Sequence, residues 1–282
     1  LILDGATGTE LQRRGYTGDI SMEQWTLAHP DCIRELQRGY VDAGSRVLYT
    51  PTFGGNAVRL AAYGVTEDVA AYNRRLAALT REAAGGRALV AGDMAPTGLF
   101  LPPLGDASFR RLVDAYAQQV AGLEEAGVDL YVIETMISLS DARAAVLAVR
   151  AVTDKPIFVT FACDGNGRSI SGTDITAALT ALQDMGIDAF GLNCSTGAQM
   201  LPQLRRLRAY ARVPLIAKPS AGLPVMVDGR AVYDCPPEAF AACVPAMLDS
   251  GVMIFGGCCG TTAAHIAALR RALYGGDLPE GN

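Results

Sequence analysis

Short apolar segments rich in β-branched residues alternate with longer alanine-rich segments along the whole chain. The short segments predict buried strands, and the longer ones predict helices. The predicted strands cover residues 1–3, 46–50, 88–92, 130–133, 157–161, 189–192, 215–217 and 253–255. The predicted helices lie near residues 30–43, 66–84, 106–126, 140–151, 173–185, 197–211, 236–250 and 262–274. The expected N-caps are Thr66, Asp106, Ser140 and Thr173, and the expected stops are Gly44, Gly85, Gly127, Gly186 and Gly251.

This regular alternation predicts the fold class. Eight strand–helix pairs in 282 residues give about 35 residues per pair, which is typical of a (β/α)₈ TIM barrel. An open, doubly wound parallel sheet shows the same alternation and stays the alternative. No linker or low-complexity segment divides the sequence. We therefore expect a single α/β domain over residues 1–282.

Barrel geometry draws attention to the residues that directly follow each predicted strand, because reactive groups in barrels lie at the C-terminal strand ends. Asp4 and Glu134 end the first and fourth predicted strands. Cys194 follows the sixth strand, and the pair Cys258 and Cys259 follows the eighth. Only one strand separates the sixth from the eighth, so the three thiols can converge.

Three converging thiols are typical of a zinc site, since Zn²⁺ takes thiolates in tetrahedral geometry. Glycines beside Cys258 and Cys259 allow the turn that brings neighbouring side chains to one ion. Three protein ligands leave one position for water or substrate, as in catalytic zinc sites. Three other interpretations stay open: cysteines buried as small apolar residues, a vicinal disulfide, and a phosphate-binding turn at Gly256 and Gly257.

Composition and charge narrow the function classes. The net charge of −5 and the pI near 5.1, without a basic stripe, argue against nucleic acid or an anionic membrane as a partner. No continuous apolar run of spanning length and no basic, apolar leader pattern is present, despite a mean hydropathy of +0.21. Seven cysteines, an odd number, then predict reduced thiols and a cytoplasmic location. For Cys32, Cys163, Cys235 and Cys243 we expect ordinary packing.

Three motifs carry chemistry-bearing residues in a fixed order. They are Asp-Gly-Ala-Thr-Gly-Thr-Glu-Leu at 4–11, Gly-Leu-Asn-Cys-Ser at 191–195 and Gly-Gly-Cys-Cys-Gly-Thr-Thr at 256–262 followed by His265 and Ile266. Together they resemble the homocysteine S-methyltransferase family over essentially the whole chain. The segment 218–224, Lys-Pro-Ser-Ala-Gly-Leu-Pro, is similar to the homocysteine-binding domain of cobalamin-dependent methionine synthase. The resemblance implies a zinc-dependent barrel enzyme that methylates homocysteine to methionine.

The resemblance also implies roles for individual residues. The zinc thiolates fall on Cys194, Cys258 and Cys259. The substrate-binding set is Asp4 and Glu134 for the amino group, the backbone of Gly5 and Ala6 for the carboxylate, and Asn193 and Ser220. The chain lacks the tyrosine of the betaine-dependent branch after strand two, and it has Ser220 where methionine synthases have asparagine. The fourth zinc ligand before substrate binds is therefore left open among Ser220, Asn193, water and another group.

The resemblance leaves the methyl donor open. A sulfonium such as S-methylmethionine or S-adenosylmethionine, a quaternary ammonium such as betaine, and a methyl-corrinoid all fit the thiol half of the site. We expect no cobalamin or folate domain within these residues, which favours a small donor, with a separate corrinoid protein partner as the alternative. A phosphate-binding barrel lyase or aldolase and a non-catalytic zinc-sensing module are the rival classes.

Overall fold

A curled parallel sheet forms the centre of the computed structural model, which describes residues 1–227 and 230–275. In chain order the strands are β1 (Val47–Tyr49), β2 (Leu89–Met94), β3 (Leu130–Met136), β4 (Ile157–Phe161), β5 (Ala189–Asn193), β6 (Leu215–Lys218), β7 (Val225–Val227), β8 (Arg230–Val232) and β9 (Val252–Phe255). The pair β7 and β8 forms a separate antiparallel hairpin, which the sequence pattern did not predict. The other seven strands follow one another across a single parallel sheet.

The N-terminal residues join the two edge strands of this sheet. Ile2 forms a parallel bridge with Phe255 of β9, and Leu3 forms one with Val47 of β1. The Leu3 amide donates to the Phe255 carbonyl at 2.7 Å, while the Arg46 amide donates to the Ile2 carbonyl at 2.8 Å. An open sheet has no element in this position. The predicted single-domain barrel is therefore confirmed, with residues 1–3 contributing bridges in place of a full strand.

Helices surround the sheet. They are α1 (Gly8–Arg13), α2 (Met22–Ala28), α3 (Pro30–Ala43), α4 (Ala57–Ala62), α5 (Val69–Ala84), α6 (Phe109–Glu125), α7 (Leu139–Arg150), α8 (Ile175–Asp184), α9 (Gly197–Arg208), α10 (Pro237–Ala241), α11 (Val244–Asp249) and α12 (Ala263–Tyr274). The helix predicted at 236–250 is two short helices, because Pro245 lacks the N–H that a continuous helix would need. Within residues 1–227 and 230–275, no helix is both long and apolar enough to span a bilayer.

The helix ends were predicted better than the helix starts. The five glycines expected as stops all have positive φ angles, from +53° to +117°, and lie one or two residues after the end of a helix. The four expected N-caps are wrong by one or two residues, because neighbouring residues take the role: Asp68, Ser108, Ser138 and Asp174. At Asp174, for example, the carboxylate accepts from the Thr176 and Ala177 amides, while Thr173 Oγ1 accepts from Leu139.

The strands of the parallel sheet are largely buried on both faces, and this arrangement places the functional residues. One apolar cluster lies inside the curled sheet, with inward residues that include Ala91, Val132 and Ile216. Side chains two positions apart on a strand share a face. Asp93, Glu134 and Lys218 each follow one of these three residues by two positions, so these three residues place ionisable groups above the apolar layer of the barrel.

Candidate active site at the mouth of the barrel

A cavity of about 440 Å³ opens where the parallel strands end. Its inner wall combines acidic groups, a lysine and thiols, contributed by Asp4, Asp93, Glu134, Lys218, Cys194, Cys258 and Cys259. Its outer wall comes from the first loop, α2 and the segment after β1, with Gln12, Tyr16, Met22, Glu23, Phe53, Arg59 and Tyr63. Ala231 and Tyr233 from the hairpin complete the rim. Most of the residues predicted to bind a metal or a substrate therefore line one cavity.

The structure brings Cys194, Cys258 and Cys259 together. The Sγ atoms of Cys194 and Cys258 are 3.1 Å apart, those of Cys258 and Cys259 are 4.0 Å apart, and all three lie within 4.8 Å of one another. Tetrahedral zinc with Zn–S bonds of roughly 2.3 Å separates its sulfurs by about 3.8 Å, so the three thiols fit such an ion. The Cys258–Cys259 separation is far from the roughly 2.05 Å of a disulfide. The vicinal disulfide has no support here.

The backbone around the thiols is shaped by tight packing. A Cβ at Gly257 would lie 2.4 Å from Thr261 Oγ1, which itself donates to the Cys258 carbonyl at 2.7 Å. Cys194 has a φ of +62°, a left-handed conformation that is uncommon outside glycine. The carbonyl of the next residue, Ser195, accepts the Ser220 amide at 2.9 Å. These constraints hold each cysteine at the end of its strand.

Hydrogen bonding among the thiols favours one thiolate before any metal binds. Contacts from Cys194 and then Cys258 lower the pKa of Cys259 to about 2. Hydrogen bonds to Cys194 and Cys259 raise the pKa of Cys258 well above its ordinary value. A metal ion bound by three thiolates therefore displaces the protons that remain on the cluster.

Asn193 and Thr135 form a polar contact directly behind the thiols. Asn193 Nδ2 donates to Thr135 Oγ1 at 2.6 Å and lies 3.6 Å from Cys194 Sγ and 3.9 Å from Cys258 Sγ. Thr135 has a φ of +57°, which is a genuine outlier for a β-branched residue. Backbone strain of this kind persists where the surrounding structure enforces it, commonly at functional sites. Sequence reasoning missed Thr135, because no residue pattern signals a positive φ at threonine.

Asp4 and Glu134 meet at a single buried cation. Asp4 Oδ2 accepts the Tyr49 amide at 2.7 Å, and Asp4 Oδ1 lies 3.3 Å from Lys218 Nζ. Glu134 Oε2 lies 3.7 Å from the same ammonium. Burial raises the pKa of both carboxyl groups, while the charge of Lys218 opposes that rise. The sequence placed these acids on nearly opposite strands, and Lys218 is the residue that connects them across the barrel.

Asp93 is a third buried carboxyl group of the cavity. Its sequence position was interpreted as that of a turn-forming aspartate, but the residue lies near the end of β2, and its Oδ1 has no hydrogen-bond partner among the described residues. Burial first, and the charge of Glu134 second, raise the pKa of Asp93 well above its ordinary value. Asp93 therefore holds its proton more tightly than a solvent-exposed aspartate does. The sequence could have indicated this position, because Asp93 lies two residues after Ala91 and therefore shares its inward face of the strand.

The other predicted substrate residues lie in different surroundings. Gly5 lines the cavity, and a Cβ there would lie 2.7 Å from the Tyr40 ring. The Ala6 amide also faces this region but donates to Thr261 Oγ1 at 3.0 Å. Asn193 and Ser220 are buried and do not line the cavity.

The turn at Gly256 and Gly257 has no free amides for an anion. The Gly256 amide donates to Ala217, that of Gly257 donates to Asp4, and that of Cys258 donates to Pro219. A phosphate group would also lie beside the buried acids. The phosphate-binding alternative therefore has no support at this turn.

Comparisons with known proteins agree with this geometry. The family model described as homocysteine S-methyltransferase matches residues 1–273. The chain is 33% identical to methionine synthase from Mycobacterium tuberculosis and 34% identical to that from Mycobacterium leprae, over 99% and 100% of its own length. It spans about a quarter of the length of these two relatives. The homocysteine methyltransferase MmuM from Escherichia coli, in its metallated form, aligns with a TM-score of 0.80 and 26% identity over 96% of this chain and 95% of that one. The chain belongs to the homocysteine S-methyltransferase family.

Proposed function

We propose that the protein is a zinc-dependent homocysteine S-methyltransferase that transfers a methyl group from a small donor to the homocysteine sulfur, giving methionine. The observation that carries this proposal is the shared cavity, in which three thiols within 4.8 Å of one another lie beside buried carboxylates. The metallated form of the E. coli relative supports a metal at a site of this kind.

The donor set suits zinc better than harder ions. Thiolates are soft ligands, and the cluster offers three of them with no carboxylate in the group. Zinc held by Cys194, Cys258 and Cys259 would lower the pKa of an incoming thiol, so that the nucleophilic thiolate exists near neutral pH. Three thiolate charges exceed the charge of the ion, so a fourth sulfur would keep much of its electron density.

The protein residues then have to align the substrate. Asp4 and Glu134 would bind the α-ammonium group, which fixes the amino-acid end and directs the side-chain sulfur toward the thiols. Methyl transfer is a direct displacement at carbon, in which the acceptor sulfur, the methyl carbon and the leaving group must lie in line. Binding both partners in one cavity supplies this alignment.

The outer wall of the cavity supports a small cationic donor. It carries the aromatic rings of Tyr16, Phe53 and Tyr63, and the buried carboxylate of Glu23, whose Oε1 accepts the Gly54 amide at 2.6 Å. Aromatic faces and carboxylates attract sulfonium and quaternary ammonium groups, as in S-methylmethionine, S-adenosylmethionine or betaine. The identity with methionine synthases favours a second candidate, in which a corrinoid partner protein delivers the methyl group at the same rim.

One assay distinguishes these possibilities. The zinc-loaded protein is incubated with homocysteine and, separately, with each small donor or with methylcobalamin, and methionine is quantified. Methionine from a small donor supports the proposal, and methionine from methylcobalamin alone supports the second candidate. Undiminished methionine formation by a metal-free Cys259→Ala variant would contradict both.

A further inference from the structure

The ammonium group of Lys218 is the most deeply buried charge among the cations that line the cavity. The side chain is 3% exposed, and its Nζ lies 3.3 Å from Asp4 Oδ1 and 3.7 Å from Glu134 Oε2. The same atom lies 3.4 Å from the centre of the Tyr49 ring, a favourable cation–π distance. A lysine has three N–H bonds, and three protein groups surround this one. The ammonium group is therefore oriented toward these three protein groups.

The charges around Lys218 match one additional cation. When ionised, Asp4 and Glu134 contribute two negative charges, and Lys218 contributes one positive charge. The sum is −1, which one substrate ammonium would neutralise. Arg59 also lines the cavity, on the outer wall together with Glu23. Burial raises the pKa of Glu23, and the charge of Arg59 opposes that rise. Lys218 is thus the cation that acts on the two acids.

Without Lys218, two buried carboxylates would share the cavity wall with no counter-ion. An unpaired buried charge is costly, so one carboxyl group would take up a proton or move away. Asp4 Oδ1 would also lose the contact that fixes its rotation, because its Oδ2 alone is held by the Tyr49 amide. Both changes would weaken binding of an ammonium group that Asp4 and Glu134 have to contact from two sides.

We infer that Lys218 is a positioning residue, which holds Asp4 and Glu134 in the orientation and charge state that bind the α-ammonium group of a thiol amino acid, without touching the substrate. The inference rests on the proposed function, since homocysteine is taken as that amino acid. It makes Lys218 a determinant of specificity for amino thiols over simple thiols.

Three thiol ligands test this role by binding alone. Homocysteine carries both charged groups, 4-sulfanylbutanoate lacks the ammonium, and 3-aminopropane-1-thiol lacks the carboxylate. Their dissociation constants are measured by titration calorimetry on the zinc-loaded wild-type protein and on the variants Lys218→Gln and Lys218→Met. Lys218→Gln keeps N–H donors for the carboxylates and serves as the variant that preserves the fold. Lys155→Met is the matched control, because Lys155 is half-buried and pairs with Glu124 away from the cavity lining.

We expect Lys218→Gln and Lys218→Met to bind homocysteine and 3-aminopropane-1-thiol about tenfold or more weakly, with little change for 4-sulfanylbutanoate. The Lys155→Met control is expected to bind all three thiols like the wild type. Unchanged or tighter homocysteine binding in both variants would overturn the inference, because Lys218 would then merely repel the substrate cation. An equal loss for 4-sulfanylbutanoate would also overturn it, in favour of a direct contact with the substrate carboxylate. A wild-type protein that binds none of the thiols would refute the proposed function itself, and the inference with it.

Discussion

The strained residue Thr135 offers a quantitative test of how the site is held together. Its backbone occupies the left-handed region at φ +57°, and its hydroxyl accepts the Asn193 amide at 2.6 Å. Replacing it with serine, valine or glycine separates these two features. Serine keeps the hydroxyl, valine keeps the β-branched shape without a hydroxyl, and glycine removes both the hydroxyl and the strain.

The structure sets the expected magnitudes. A left-handed non-glycine residue costs roughly 1–2 kcal/mol, and valine retains that cost while glycine relieves it. Loss of the hydroxyl leaves the fully buried Asn193 amide without its closest acceptor, at a cost of about 1–3 kcal/mol. We therefore expect Thr135→Val to lose about 1–3 kcal/mol of unfolding free energy. Thr135→Gly should lose less than valine, and Thr135→Ser should stay close to the wild type.

Denaturant unfolding measures these differences, and competition with a chromophoric zinc chelator measures metal affinity on the same proteins. The bond from Asn193 lies directly behind Cys194 and Cys258, so Thr135→Val should also weaken zinc binding while Thr135→Ser should not. A valine variant with wild-type stability and wild-type zinc affinity would refute the role given to this contact.

Three further predictions concern the cysteines of the thiol cluster, the carboxylate of Glu134 and the buried carboxyl group of Asp141. Cys194→Ala or Cys259→Ala should abolish zinc retention and activity, and a full equivalent of zinc by elemental analysis in either variant would exclude that cysteine as a ligand. Glu134→Gln should raise the KM for homocysteine more than it lowers kcat, and unchanged values of both would remove Glu134 from the substrate site. Burial raises the pKa of Asp141 from 3.8 to about 6, so the folded state holds this proton more tightly than the unfolded chain does. Its contribution to stability is complete below about pH 4 and is lost as the pH rises to about 6. Asp141→Asn should therefore remove at most about 3 kcal/mol of pH dependence between these values, and an unaltered profile in denaturant unfolding would contradict this.

The alternation of the parallel strands with the longer helices, and the position of the site, followed from local signals in the sequence, whereas α1, α2 and α4 were not predicted. A buried, mostly apolar strand and a glycine stop are each encoded within a few residues. The pattern could therefore predict β4 at 157–161 and the stop at Gly186. The convergence of Cys194 with Cys258 and Cys259 required only the additional rule that parallel strands end on one rim.

Features that depend on tertiary contacts could not be predicted in this way. The hairpin of β7 and β8 follows a proline-containing loop and carries exposed apolar residues, so its segments lack the burial pattern of a core strand. Lys218 begins the segment 218–224, for which the sequence indicated no side-chain role for the lysine. Its contacts with Asp4 and Glu134 join strands far apart in the sequence. One local indication was available: Lys218 lies two residues after Ile216, so both side chains point into the barrel.

Zinc K-edge absorption spectroscopy of the zinc-loaded protein, before and after addition of homocysteine, tests the central claim most directly. The account predicts three sulfur ligands at roughly 2.3 Å in the free protein and four once homocysteine is bound. Fewer than three sulfurs in the free protein, or no gain of a sulfur on adding homocysteine, would contradict it.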